Sequence, residues 1–286
     1  MVHPLKQKRE FKITSLSFSQ SSFLWGPLMN LFNLFGQRHT KAYWWRKVPN
    51  FGDALSPFLL ERFADIKNVG WDTVSRSTII SCGSLLEHIP PDWDGYILGT
   101  GRLFENSRLH SFNQTAKILA LRGPLSAKGF KGNFGIGDPG ILANELVGPQ
   151  EKKWDLGIVP HWQDTKLVNR FKKLISPEFS IKEISTSEHP LQVIKDIGSC
   201  KRIVTSSLHG AIVADSFGGI PRRIEQCEKM ARDGGLFKFR DYSASIKTPL
   251  EIGKMIEPSR FNVEDVKFSI YDAYRELGEV IKHESF

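Results

Sequence analysis

Ser206-Ser207-Leu208-His209-Gly210 is the stretch of this chain best equipped for chemistry. It follows a strand-like run, Arg202-Ile-Val-Thr205, and leads into a helical run from Ala211 to Phe217. Two hydroxyls and an imidazole at a helix start can cradle a phosphate or carboxylate, and Gly210 lets the backbone come close. His209 can also take up or release a proton near neutral pH. The plainer alternative is that Ser206 or Ser207 caps the helix while His209 satisfies a backbone group.

Other polar residues fall at similar places, where apolar runs end. Arg122 follows Lys117-Ile-Leu-Ala-Leu121 and offers a planar fork for an anion, or an ion pair with a surface carboxylate. Gly99-Thr100-Gly101 follows Tyr96-Ile-Leu98. It could hold an anion, but the third glycine of a dinucleotide fingerprint is missing. His161 follows Leu156-Gly-Ile-Val159 and Pro160, where it would point into a cleft or satisfy a structural contact. Asn50-Phe51-Gly52-Asp53 reads as a loop, with Asp53 a turn former or a site residue, and Asp138 in Gly137-Asp-Pro-Gly140 reads first as a turn. No His/Cys/carboxylate spacing indicates a metal site, and neither a G-x-S-x-G elbow nor a P-loop occurs.

The elements that must position these residues alternate. Strand-like runs at 41–46, 78–82, 96–98 and 117–121 are interleaved with loops and with a helix that Ser56-Pro57 would cap and start. The polar stretch Gly148-Pro-Gln-Glu-Lys-Lys153 breaks the rhythm. Strands at 156–159, 180–184, 202–205 and 221–224 then alternate with helices near 164–175, 191–197 and 211–217. The expected fold class is α/β, with two Rossmann-like domains facing a cleft. Their bounds are 41–148 and 149–258, between an N-terminal extension over 1–40 and a C-terminal helix in 259–286 that packs back across them. Ligands of such sheets sit at the carboxyl ends of strands.

The 286 residues are 40% hydrophobic and 24% charged, ordinary globular proportions that exclude wholesale disorder and a multi-span membrane protein. Thirty-nine basic against 31 acidic residues give a net charge of +8 and point to anionic partners. The aromatics make no RNA-binding stripe, so nucleic acid is a weak account of that charge. Three scattered cysteines suit a reducing compartment. Leu28, Leu31, Phe32 and Phe35 share one helical face near basic residues. That face suits contact with a membrane surface through residues 1–40, or packing on the protein itself, and falls short of the roughly 20 apolar residues of a spanning helix.

Asn50-Phe-Gly-Asp-Ala-Leu-Ser-Pro57, Gly99-Thr-Gly101, Arg122-Gly-Pro124, Gly137-Asp-Pro139 and Ser206-Ser-Leu-His-Gly210 occur in this order. The ordered set, over roughly 41–225, resembles the polysaccharide pyruvyl transferase family. The resemblance implies a GT-B-like pair of domains and phosphoenolpyruvate as donor and co-substrate, with no further cofactor. It also implies an acceptor sugar in an exopolysaccharide or lipid-linked glycan, and a bacterial cytoplasmic enzyme, peripheral at the inner membrane face. By position, His209 looks like the family's essential histidine and Arg122 like a donor-binding arginine. His161, Ser206, Ser207, Asn50, Asp53 and Gly99-Thr100-Gly101 would complete the substrate site. Some members carry a second arginine where this chain has Ser207, so Arg222 or Arg223 is expected to supply that charge, or else donor binding differs. A nucleotide-sugar glycosyltransferase and a non-catalytic scaffold of a glycan-assembly complex are the alternatives.

Overall fold

Short apolar runs that end in Gly, Ser or Arg become strands of two sheets in a computed structural model, which describes residues 40–107, 116–164, 166–226 and 235–284. The first sheet has strand order β2-β1-β3-β4-β5-β6 and is parallel throughout. Its strands are β1 (Lys41–Tyr43), β2 (Gly70–Trp71), β3 (Ile79–Ile80), β4 (Tyr96–Leu98), β5 (Lys117–Leu121) and β6 (Gly135–Ile136). The second has order β11-β10-β9-β7-β8. It comprises β7 (Leu156–Val159), β8 (Ile181–Glu183), β9 (Ile203–Thr205), β10 (Arg222–Ile224) and β11 (Met255–Ile256), with only β10 and β11 antiparallel. The protein is thus α/β with Rossmann-like parallel sheets. Buried central strands such as β4 and β9 are continuously apolar or nearly so, as strands covered on both faces are.

The helices are α1 (Leu55–Phe63), α2 (Pro124–Ala127), α3 (Leu167–Lys172), α4 (Pro190–Gly198), α5 (Leu208–Ser216), α6 (Gly235–Ser245) and α7 (Arg260–Glu284). Every residue of α5 is buried, because it is packed by α4, β9, β10 and a 3-10 helix at Pro139–Leu146. That 3-10 helix also meets α1, so residues of both sheets, among them Ile79, Leu98, Val159 and Ile203, share one apolar core. The last helix, α7, lies against β4, β5 and β6 of the first sheet.

Ser56 is not the cap of α1. The helix starts two residues earlier than Pro57, at Leu55, because the 50–54 loop already closes turns in which Ala54 N–H donates to Asn50 O and Leu55 N–H to Gly52 O. The Ser56 hydroxyl is buried and instead accepts from Cys82 N–H at 3.2 Å, tying α1 to the end of β3. Residues 1–39, with the expected interfacial helix, and Cys227 lie outside the described residues. Among the described residues no helix is long and apolar enough to cross a membrane.

Candidate active site

The loops at the carboxyl ends of β1, β3, β4, β7 and β9 surround a cavity of about 330 Å³, joined by α6. Five residues singled out in the sequence line it: Asn50, Asp53, His161, Ser207 and His209. Ser84, Lys238 and the aromatic residues Trp45, Phe104 and Trp162 line it as well.

His209 sits on the first turn of α5. Ser207 caps that helix, its hydroxyl accepting from Gly210 N–H at 3.4 Å. Ser207 thus caps the helix and also lines the cavity. The His209 Nε2 is buried without a hydrogen-bond partner and lies 3.7 Å from the Asp138 carboxylate. Burial, reinforced by the positive charges of Lys238 and Arg122, drives the imidazole down to about 3, so it is neutral at pH 7. Asp138 has one oxygen bonded by Gly140 N–H at 2.9 Å and the other without a partner. Burial pushes it up to about 7.

Asp53 accepts from the Asn50 side-chain amide at 2.6 Å, while Gly52 N–H donates to the Asn50 carbonyl oxygen at 3.2 Å. The Asn50-Phe-Gly-Asp53 loop is thereby held by its own side chains, with Phe51 stacked edge-on to the His209 ring. Burial raises Asp53 to about 7, an effect that Lys238 and Asn50 oppose. His161 accepts from Gln163 N–H on Nδ1 at 3.3 Å, which leaves the proton of the neutral ring on Nε2. Burial and Lys238 lower this imidazole to about 3.

The remaining sequence candidates stand behind the cavity wall. Ser206 is fully buried and accepts from His161 N–H at 2.9 Å, fixing the His161 loop to the start of α5. The fully buried Thr100 donates to Gly83 O at 2.9 Å and accepts from Leu85 N–H at 3.1 Å. It shapes the Gly83–Leu85 wall. Gly99 has φ +81°, and a side chain there would strike Pro139, so glycine is required by the backbone path. The Gly101 Cα faces the Arg122 guanidinium at a distance that leaves no room for a Cβ. Arg122 is fully buried. Its fork donates to Asp241 at 2.9 Å, to the Ser84 hydroxyl at 2.6 Å and to Arg102 O at 2.6 Å. It reaches the cavity through Ser84 and through its field.

Neither Arg222 nor Arg223 supplies the cation expected in place of an arginine at Ser207. Arg222 is buried against Asp215 at 2.8 Å, and Arg223 pairs with Glu225 at 2.5 Å, with neither lining the cavity. Arg222 of β10 is taken up by Asp215 of α5, and Arg223 by Glu225 just past the end of the strand. Lys238 of α6 is the cation in the cavity. Its ammonium has no hydrogen bond or ion pair among the described residues, and burial with the Arg122 charge lowers it to about 8. Gly235-Leu-Phe-Lys-Phe-Arg240 alternates apolar and polar residues and carries no helical period, so sequence reasoning passed it over.

Side-chain donor atoms of Cys82, Asp138 and His209 lie within 4.8 Å of one another. A soft divalent cation could use that set only after the Cys82 thiol lost its proton, and burial pushes the thiol well up.

A family model described as polysaccharide pyruvyl transferase matches residues 50–219, more than half of the chain. The chain belongs to the polysaccharide pyruvyl transferase family. Asn50, Asp53, His161, Ser207 and His209 all lie inside the family match, whereas Lys238 and Trp45 lie outside it. Among curated proteins, the chain is 29% identical over 185 residues to uncharacterized protein L143 of Acanthamoeba polyphaga mimivirus, covering 60% of this chain and 62% of that one. It is 28% identical over 185 residues to the succinoglycan biosynthesis protein ExoV of Rhizobium meliloti (strain 1021), covering 61% of this chain and 56% of that one. The chain thus spans about three fifths of the length of these two curated relatives.

Proposed function

We propose that this protein transfers the pyruvyl group of phosphoenolpyruvate onto two hydroxyls of a sugar in a glycan or lipid-linked precursor, releasing phosphate and forming a cyclic ketal. The observation that carries the reading is the ammonium of Lys238, unpaired among the described residues, in the same cavity as a neutral His209, in a chain of this family. Phosphoenolpyruvate is small and multiply anionic. Lys238, the cap of α5 and the field of the buried Arg122 together favour such a ligand.

The two ends of the proton traffic fall to different groups. A proton delivered to the methylene carbon makes C2 electrophilic. Asp53, held near 7 by burial, is about half protonated at neutral pH and lines the cavity, and its protonated form can deliver that proton. His209, neutral at that pH, accepts the proton of the attacking sugar hydroxyl. Phosphate then leaves C2, and the second hydroxyl attacks the same carbon, giving up its proton to the released phosphate and closing the ketal. Asn50 holds Asp53, and His161 presents Nε2–H to the oxygens of the donor.

The test is a phosphoenolpyruvate-dependent mass gain on a panel of galactosides, mannosides, glucosides and lipid-linked oligosaccharides. The expected product carries a pyruvyl unit less one water, with one phosphate released per ketal and no nucleotide required. No gain on any acceptor, with no binding of phosphoenolpyruvate by calorimetry, would refute the reading.

A further inference from the structure

The cavity is chemically divided. Its most buried titratable groups are His209 and Asp53, with Lys238 half-buried beside them, whereas the rings of Phe104 and Trp162 are exposed. Phe104 and Trp162 keep 42% and 43% of their surface in solvent, so each offers an uncovered apolar face beside the cavity. They arrive from opposite sheets, Trp162 from the loop after β7 and Phe104 from the segment after β4, and Trp45 joins them from the loop after β1. The rings are held in place: Trp162 lies 5.5 Å from the His161 ring and Trp45 5.5 Å from the His88 ring, while Phe104 N–H and Leu103 N–H both point at Glu87. Trp71 and Trp93 donate their indole N–H to backbone carbonyls. Those of Trp45 and Trp162 have no partner among the described residues.

We infer that Trp45, Phe104 and Trp162 form the acceptor subsite, which takes the C–H face of a pyranose at the cavity mouth. This rests on the function proposed above. An acceptor inside a glycan is a chain, so only its reacting residue can enter and the rest must stay outside. The donor, small and anionic, belongs at the buried titratable groups, and the sugar belongs at the exposed rings. A pyranose has an apolar C–H face and an equatorial belt of hydroxyls. Flat rings cover the first, and the indole N–H groups of Trp45 and Trp162 can donate to the second.

The experiment is ligand-observed saturation-transfer NMR on the full chain, with methyl galactoside, glucoside and mannoside as probes and phosphoenolpyruvate affinity measured alongside. Wild-type protein should transfer saturation most strongly to ring C–H protons of at least one glycoside. Trp162→Ala and Phe104→Ala should each weaken that glycoside about tenfold or more, with Trp162→Phe recovering most of the loss and phosphoenolpyruvate affinity unchanged. Unchanged glycoside affinity in both alanine variants would overturn the subsite. So would a parallel loss of donor affinity, or a wild type that binds none of the three sugars. Sugar binding that depends on these rings in a protein that ignores phosphoenolpyruvate would sink the donor assignment and leave the subsite standing.

Discussion

The Cα of Gly52 is pressed against the imidazole of His209. A Cβ on Gly52 would lie 2.1 Å from the ring Nδ1 and 2.2 Å from Cγ, inside any permitted contact. The glycine of the Asn50–Asp53 loop is thus what lets a loop of the first sheet lie against the first turn of α5 in the second. Gly52→Ala should push the ring aside. Overpacking of this kind costs about 1–3 kcal/mol, and a catalytic group displaced by about 1 Å loses on the order of a hundredfold in turnover. Thermal melts, turnover and the His209 ring resonances would be measured together. A variant with wild-type turnover would show that this contact does not position His209.

Thr100 was a candidate ligand group that the structure turns into a brace. Its hydroxyl bridges Gly83 O and Leu85 N–H, both buried. Thr100→Val keeps the shape and removes both bonds. The expected loss is about 1–3 kcal/mol in urea unfolding, together with a weaker hold on the donor because Ser84 lies between the two braced residues. Unchanged stability would mean that water replaces the hydroxyl there.

How far the site could be read from sequence depended on whether each role was local. Ser207 was legible because a hydroxyl three residues before Gly210 caps a helix by local geometry, and His209 follows one turn position later. Arg122 was legible in place, at the end of β5, but not in use. Its partner Asp241 is 119 residues away on α6, and only the fold brings them together. Lys238 shares that helix, and its own sequence window gave no helical period to announce it. Ser56-Pro57 had the chemistry of a cap, yet the preceding loop had already turned the chain into the helix. The parallel series itself was readable from apolar runs ending in Gly, Ser and Arg. The two-residue strands β2, β6 and β11 were too short to leave a pattern.

Arg122 and Asp241 form an ion pair with no exposure on either side. Removing one partner leaves the other charge buried, so Asp241→Ala should cost about 3–5 kcal/mol. Arg122→Lys keeps the charge and loses the fork that reaches Ser84 and Arg102 O at the same time. It should cost about 2 kcal/mol and weaken phosphoenolpyruvate binding. Equilibrium unfolding and calorimetry on both variants check this, and a lysine that substitutes without loss would reduce Arg122 to a point charge.

His209 and Asp138 give opposite pH signatures. Burial lowers His209 from 6.5 to about 3. Between those values the unfolded chain binds the extra proton, so the stability that the neutral ring contributes is complete above 6.5 and is lost as pH falls toward 3. Burial raises Asp138 from 3.8 to about 7. There the folded chain binds the extra proton, so its contribution is complete below 3.8 and is lost as pH rises through 7. His209→Gln should therefore gain on wild type as pH is lowered from 6.5 to 4. Asp138→Asn, which keeps an acceptor for Gly140 N–H, should gain on wild type as pH is raised from 4 to 8. Melting temperatures of the three proteins across pH 4–8 would show the two differences running in opposite directions. Both differences reversed, with His209→Gln gaining as pH rises and Asp138→Asn gaining as pH falls, would mean that the pair is a charged couple, with His209 protonated and unavailable as the base.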